Sequence, residues 1–147
     1  MNRLLFSISL LLIMTMSTEA KIKAADKPPE QSREELYQDL FISLLSTEID
    51  KPIMDYYKKT LTYLPMVYPY EVHVEEAKRI GGYRSFEFLV TLQVTPVVGP
   101  HIAVGEDRLT LYIAGDGQVQ QRKFEHVKSY ELPEHWQHIK KNRTDWD

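Results

Sequence analysis

The residues of this chain that could do chemistry gather in one short segment. It opens with Gly99-Pro100-His101 and continues to Glu106 and Asp107. The glycine permits backbone angles that other residues avoid, and the proline restricts the backbone just before the histidine. An imidazole close to carboxylates can act as a general base or bind a metal ion. This segment therefore supplies the first catalytic candidates.

A later histidine, His126, is the remaining catalytic candidate, and Gly99, Pro100 and His101 are the binding candidates. The alternative is structural: the Gly-Pro-His turn shapes a strand connection, and its imidazole caps a backbone group. No nucleophile motif is recognisable in the sequence. Both interpretations stay open.

The other histidines do not predict a metal site. His135 and His138 are three residues apart, a spacing compatible with one helix face, but no H-E-x-x-H run is present. His73 falls within an alternating segment, where a sheet-surface position is the default. The chain has no cysteine, so thiolate ligands and disulfides are excluded. We predict neither a metal nor a cofactor.

Tyrosines are dense between residues 56 and 83 of the chain. They could line a groove for a glycan, peptide or other ligand, or fill the seam between helices and sheet with their hydroxyls at its edge. The six are Tyr56, Tyr57, Tyr63, Tyr68, Tyr70 and Tyr83.

The N-terminus predicts export. Arg3 precedes an apolar run from Leu4 to Met16, and Thr18 and Ala20 are small residues at the cleavage-defining positions. The run is shorter than the ~20 residues that span a bilayer, which favours a cleaved signal peptide (1–20) over a membrane anchor. We predict a secreted or cell-surface protein that has no membrane partner after cleavage. Export without cysteines favours a Gram-positive source.

The composition limits the classes of partner that the protein can bind. The 147 residues carry a formal net charge of −3, which gives no electrostatic case for nucleic acid. The partner is expected to be an unknown component of the cell envelope or the extracellular space. Residues 21–31 contain Pro28-Pro29 and predict a solvated linker.

Two helices are predicted next. Ser32 and Glu35 have capping-box spacing, so a helix should begin there. Its apolar residues recur every three or four positions and form a stripe that should dock on a sheet. A second helix should begin at Asp50, with Pro52 in its first turn. The stripe consists of Leu36, Tyr37, Leu40, Phe41, Leu44 and Leu45.

Four strands should follow. The clearest has apolar residues at every second position from Phe86 to Val94, and Leu109, Leu111 and Ile113 repeat that pattern. Gly81-Gly82 predicts a hairpin turn in front of the clearest strand. A first strand should run from Tyr70 to Val74, and a fourth, at an edge, from Val119 to Val127.

These elements predict an α+β fold, in which two N-terminal helices pack on a four-stranded antiparallel meander. The domain should span residues 32–130, and residues 131–147 should form a C-terminal extension with a short helix. A curved sheet that cups a helix resembles cystatin-like folds, and by analogy alone this suggests protease inhibition as a third-ranked function.

Several runs together resemble one family. They are ISLLSTEIDKPIMDYY, FEFLVTLQV, GPHIAVGEDRLT and KFEHVKSY, which lie between Leu36 and Tyr130. They resemble the DUF 3888 family, small exported proteins of Bacillus-like bacteria whose function is uncharacterised. The resemblance implies export and the extent of the domain, and it implies no activity, cofactor or catalytic residue.

Two functional hypotheses follow from these observations. The first is an exported, non-catalytic module that binds an envelope component through the open sheet face and the loop from Gly99 to Asp107. The alternative is a small hydrolase or metal-assisted enzyme centred on Gly99-Pro100-His101, with Asp107, Glu106 or His126. The alternative requires those side chains to converge within hydrogen-bond reach.

Overall fold

A computed structural model describes residues 22–23 and 27–141 of the chain. Two helices precede the four long strands of an antiparallel sheet, which confirms the α+β prediction. The predicted signal peptide lies outside the described residues. The elements in chain order are β1 (Ile22–Lys23), α1 (Arg33–Leu44), α2 (Ser46–Tyr57), a 3₁₀ turn (Pro69–Glu71), β2 (Val72–Ile80), β3 (Glu87–Val94), β4 (Val97–Val98), β5 (Ile102–Ala103), β6 (Gly105–Ile113), β7 (Val119–Ser129) and a second 3₁₀ turn (Glu134–Ile139).

The four long strands form the predicted meander, in the order β2-β3-β6-β7. Gly81 and Gly82 both have positive φ, the conformation that the predicted hairpin turn between β2 and β3 needs. β1 adds a short edge strand beside β2, so the predicted linker contains two residues of sheet. The connection between β3 and β6 holds the small β4–β5 ladder.

The first helix begins as predicted, because the Ser32 hydroxyl accepts a hydrogen bond from the Glu35 backbone N–H. The predicted apolar stripe is buried only in part: Leu45 belongs to the core cluster and Phe41 packs against it. α1 also packs against α2 and the 3₁₀ turn Pro69–Glu71, and it buries Ile42, which lies outside the stripe. Four stripe residues are exposed: Leu36, Tyr37, Leu40 and, at 85%, Leu44.

The second helix lies on the apolar face of the sheet and supplies most of the helical core. Ile49 and Ile53 are buried in one cluster with Leu92 and Leu111. α2 begins four residues before Asp50, so Pro52 lies inside the helix, where its ring is buried. Leu45 alone separates α1 from α2, and its backbone N–H donates to carbonyl oxygens of α1. The second helix therefore starts directly after the first, and Asp50 is not at its N-terminus.

The strand alternation holds from Val90 onward, where every second residue of β3 is buried. It fails at Phe86, which is 63% exposed and precedes the strand. A turn closed by the hydrogen bond from Ser85 N–H to the Gly82 carbonyl lies before β3, which starts at Glu87. The direction of the Phe86 side chain is therefore set by the hairpin turn and not by the alternation of the strand. The Arg79 guanidinium lies 6.0 Å from the centre of its ring.

The segment after β7, predicted as an extension, packs on the same core. Leu132 and Ile139 are buried in the core cluster, and the Thr62 N–H donates to the Ile139 carbonyl at 2.8 Å. The predicted short helix is the 3₁₀ turn Glu134–Ile139. No helix in the described part of the chain is long and apolar enough to cross a membrane.

Candidate functional site

A buried carboxylate and a histidine meet between the last two strands. Asp107 shares the phase of Leu109 and Leu111 on β6, so its side chain enters the core and is 0% exposed. The neighbouring strand β7 brings His126 opposite, with Nδ1 2.7 Å from Asp107 Oδ1. Burial raises the pKa of the Asp107 carboxyl, and the His126 contact opposes that effect.

The other face of the histidine is held by α2. The Tyr56 ring stacks on the imidazole with centroids 4.5 Å apart, and Tyr57 meets it edge-on at 6.0 Å. Nε2 lies 2.8 Å from the Ser129 hydroxyl oxygen. An ionised Asp107 only accepts hydrogen bonds, so Nδ1 carries a proton, and in the neutral imidazole Nε2 then accepts from the Ser129 hydroxyl. Carboxylate, imidazole and hydroxyl thus form one hydrogen-bonded chain.

Tyr57 reaches this chain because Gly105 lacks a side chain. A Cβ at Gly105 would overlap the Tyr57 hydroxyl and the Lys128 carbonyl oxygen. The Tyr57 hydroxyl is buried, and its pKa is raised by that burial and by the negative charge of Asp107. Within the described residues, neither this hydroxyl nor Asp107 Oδ2 has a partner in hydrogen-bond geometry. The two groups interact electrostatically, since the Asp107 charge raises the pKa of the Tyr57 hydroxyl.

A pocket of about 390 Å³ opens beside this chain, with Tyr56, Tyr57 and Ser129 in its lining. It lies where the end of α2, the end of β7 and the C-terminal segment meet. A volume of this size is at the lower end of those that hold small ligands. The hydrogen-bonded chain therefore has a cavity at its exposed end.

His101 lies apart from that pocket, on a surface that we call the aromatic ledge (Tyr68, Tyr70 and His101). The Tyr68 ring stacks on Tyr70 at 5.3 Å and on His101 at 4.8 Å between centroids. The Tyr70 hydroxyl and His101 Nδ1 are 2.9 Å apart. His101 has a φ of 62°, an uncommon backbone conformation for a residue with a side chain.

The two binding candidates before His101 are Gly99 and Pro100, on the loop that carries the histidine. Gly99 has a φ of +50°, and a Cβ there would overlap the Trp136 ring. Trp136 comes from the C-terminal 3₁₀ turn, so that turn packs directly under the loop. Pro100 is exposed between them.

The fourth candidate, Glu106, points away from Asp107, as neighbours on one strand do. Its carboxylate accepts from Gln93 Nε2 at 2.6 Å and from the Tyr130 hydroxyl at 3.1 Å. Of the four catalytic candidates, the structure therefore brings together Asp107 and His126. His101 and Glu106 each lie elsewhere, with partners of their own.

Comparison with family profiles gives one match, to a family described as a protein of unknown function (DUF3888), over residues 37–128. The match covers more than half of the chain. This chain belongs to the DUF3888 family. Neither the curated proteins nor the solved structures contained a match.

The DUF3888 match includes Asp107, His126 and the whole aromatic ledge, and it ends one residue before Ser129. Over residues 22–23 and 27–141, no group of three or more histidine, aspartate or glutamate side chains could hold a metal ion. His138 uses its Nδ1 to contact the His135 carbonyl oxygen at 2.9 Å, so this pair makes a local turn contact.

Sequence reasoning did not single out Ser129. Ser129 lies three residues after His126, and residues at this spacing on a regular strand face opposite sides of the sheet. The register shifts between β6 and β7 bring the Ser129 hydroxyl to the histidine. A signal for Asp107 did exist, because a carboxylate falls on the apolar phase that Leu109, Leu111 and Ile113 define.

Proposed function

We propose that this DUF3888 protein is exported to the bacterial cell surface and binds a glycan of the envelope through the aromatic ledge. The observation that carries the proposal is a surface stack of three rings, in which a half-buried Tyr68 packs against Tyr70 and against His101 from the loop that begins at Gly99. Tyr70 is 53% exposed, and His101 is exposed at the tip. Rings left in water at this density favour a binding surface over core packing.

The ledge has the chemistry that a sugar ring requires. Pyranose rings present C–H faces that pack on aromatic rings, and hydroxyl groups that need donors and acceptors at the ring edges. Tyr68 and Tyr70 lie within 10° of parallel. The hydrogen bond between Tyr70 and His101 fixes both rings before a ligand arrives, which lowers the entropic cost of binding.

The open sheet face, also expected to bind, is less suited because its charges pair with one another. Arg108 donates through Nε and Nη2 to the Glu75 carboxylate at 2.7 and 3.1 Å. Glu125 lies 3.9 Å from the same guanidinium. A ligand on this face would have to break these pairs.

Export is supported by the sequence of the N-terminus. Arg3, the apolar run from Leu4 to Met16 and the small residue Ala20 have the order of a signal peptide. A Bacillus-like source rests on the family resemblance and on the absence of cysteine.

The glycan proposal is tested by sedimentation with insoluble cell-wall sacculi. The chain from residue 21 onward should co-sediment with sacculi of a Bacillus species. Tyr70→Ala and His101→Gly should lose most of the bound fraction, and glycine at 101 also tolerates the positive φ. Tyr83→Ala is the matched control, because Tyr83 is 95% exposed and is remote in sequence from the ledge. Equal sedimentation of Tyr70→Ala and the unaltered chain would overturn the proposal.

Export is tested separately by fractionation of the expressing cell. The protein should appear in the wall or medium fraction with Lys21 as its first residue. Full-length protein confined to the cytosol would contradict it.

The chain Asp107–His126–Ser129 favours a second candidate function, hydrolysis of small esters. A nucleophile bonded to a base that a third group orients is the arrangement that acyl transfer uses. Ser129 Oγ would bond to the ester carbonyl carbon while His126 Nε2 takes the hydroxyl proton. The imidazole then returns this proton to the leaving alkoxide. Water activated by the same imidazole releases the acyl group as a carboxylic acid and restores Ser129.

Hydrolysis of p-nitrophenyl acetate distinguishes this candidate. Turnover by the unaltered chain that Ser129→Ala abolishes, and that Ser43→Ala leaves intact, would support it. Ser43 is an exposed α1 serine remote from the pocket in sequence. A rate equal to that of free imidazole at the same concentration would exclude it.

A further inference from the structure

The pocket beside His126 has an apolar interior. Leu61, Val104 and Leu132 line it, and each of them also belongs to the buried core. Burial of apolar ligand surface against such side chains contributes roughly 25 cal/mol per Å². An apolar group of a ligand is therefore favoured inside.

The exposed lining is cationic. Lys140 and Lys141 line the pocket, and none of its described lining residues is an aspartate or glutamate. Lys141 Nζ donates to the Lys58 carbonyl oxygen at 2.6 Å, which holds this lysine at the C-terminal end of α2. Lys59 is exposed beside it.

Lys128 adds positive charge near the Tyr130 part of the lining. Lys128 Nζ is 4.9 Å from the centre of the Tyr130 ring, and Tyr130 lines the pocket. Two carboxylates of this region have partners: Asp55 forms an ion pair with Lys58, and Glu106, which keeps its negative charge, accepts from Tyr130. Glu131 is exposed between two lining residues. With Asp55 and Lys58 paired, Lys128, Lys140 and Lys141 outnumber Glu106 and Glu131 here, although the whole chain carries a net charge of −3.

We infer that this pocket binds an amphipathic monocarboxylate, with an alkyl or aryl body against Leu61, Val104 and Leu132 and its carboxylate at Lys140 and Lys141. The inference does not depend on the aromatic ledge. A carboxylate gains from the lysines, and an apolar body gains from the interior, so the pocket should select ligands that carry both.

Three probes of equal chain length test the inference in amide NMR titrations of the unaltered chain: octanoate, octanol and octylamine. Octanoate should perturb the amides of Val104, Ser129 and Tyr130, and it should bind at least about fivefold more tightly than octanol. Octylamine should be the weakest. Equal affinity for octanol and octanoate would overturn the role of charge.

Two variants separate the lysines from net charge. Lys140→Ala with Lys141→Ala should weaken octanoate binding by about fivefold, as two exposed ion pairs would, and leave octanol unchanged. Lys27→Ala with Lys51→Ala makes the same charge change at exposed sites outside this pocket and should keep the affinity. Equal weakening by both pairs would reject a local lysine site.

A third variant tests the location. Thr60 is exposed and lines the pocket, so Thr60→Trp should obstruct it without a change to the buried core. Octanoate should then fail to perturb Val104 and Tyr130, and sedimentation with cell-wall sacculi should persist. Unchanged octanoate binding to Thr60→Trp would place the ligand elsewhere.

Discussion

Asp107 and His126, 19 residues apart in the chain, are joined by a 2.7 Å contact between Oδ1 and Nδ1. Asp107 has no exposed surface, and a carboxylate moved from water into a protein interior costs several kcal/mol unless it is paired. The imidazole, with 18% of its side-chain surface exposed, links this carboxylate to the solvent edge. The two residues are therefore energetically coupled.

The coupling predicts a non-additive pair of substitutions. His126→Ala should lower the free energy of unfolding by about 3 kcal/mol, because it leaves a carboxylate buried without its charged or polar partner. Asp107→Asn added to His126→Ala should recover much of this loss, since a neutral amide is cheaper to bury. Urea unfolding of the four proteins in the cycle measures the coupling. Additive losses would show that the two side chains act independently.

The raised pKa of Asp107 predicts how stability changes with pH. Burial makes the folded state bind this proton more tightly than the unfolded state, whose carboxyl has a pKa of about 3.9. The contribution of the group is therefore fully present below that pKa and is lost as pH rises through the folded pKa. The difference in unfolding free energy between the unaltered chain and Asp107→Asn should fall from pH 3 to pH 6.

Asp55 provides the control with the opposite sign. Its hydrogen bond with Lys58 lowers the pKa of its carboxyl, so its contribution is present above the unfolded pKa and is lost as pH falls. The corresponding difference for Asp55→Asn should rise over the same pH range. Slopes of the same sign for both variants would contradict the assignment of Asp107.

Gly99 and Gly82 separate backbone strain from steric overlap. Both have positive φ, and a Cβ at Gly82 would meet no atom within 4 Å, whereas a Cβ at Gly99 would overlap Trp136. Gly82→Ala should cost about 1 kcal/mol of stability from strain alone. Gly99→Ala should cost about 1–3 kcal/mol more, because the loop or the C-terminal turn must shift. Denaturant midpoints of the two variants test the difference, and equal midpoints would show that Trp136 yields freely.

The sequence patterns predict the strands of the sheet better than the positions of the residues at the strand ends. Alternation is a local property, so β3 and β6 were recognisable, and paired glycines marked the hairpin turn between β2 and β3. At the boundary of a strand, as at Phe86, the side-chain direction is set by the turn and not by the alternation of the strand. The position of Asp107 among the alternating apolar residues of β6 can be recognised in the sequence as an exception. That of Ser129 cannot, because the bulges of β7 decide where it points.

Helix α1 shows why an apolar stripe does not identify its own partner. The helix has apolar residues on two sides, and the structure buries the side with Ile42 while Leu40 stays more than half exposed. Leu40→Gln should therefore change the free energy of unfolding by less than about 0.5 kcal/mol. Ile42→Ala on the same helix should cost about 2–4 kcal/mol, since it opens a cavity in the core. Urea unfolding of both variants decides the matter. If Leu40→Gln is as damaging as Ile42→Ala, Leu40 is buried, as the spacing of the stripe alone predicts.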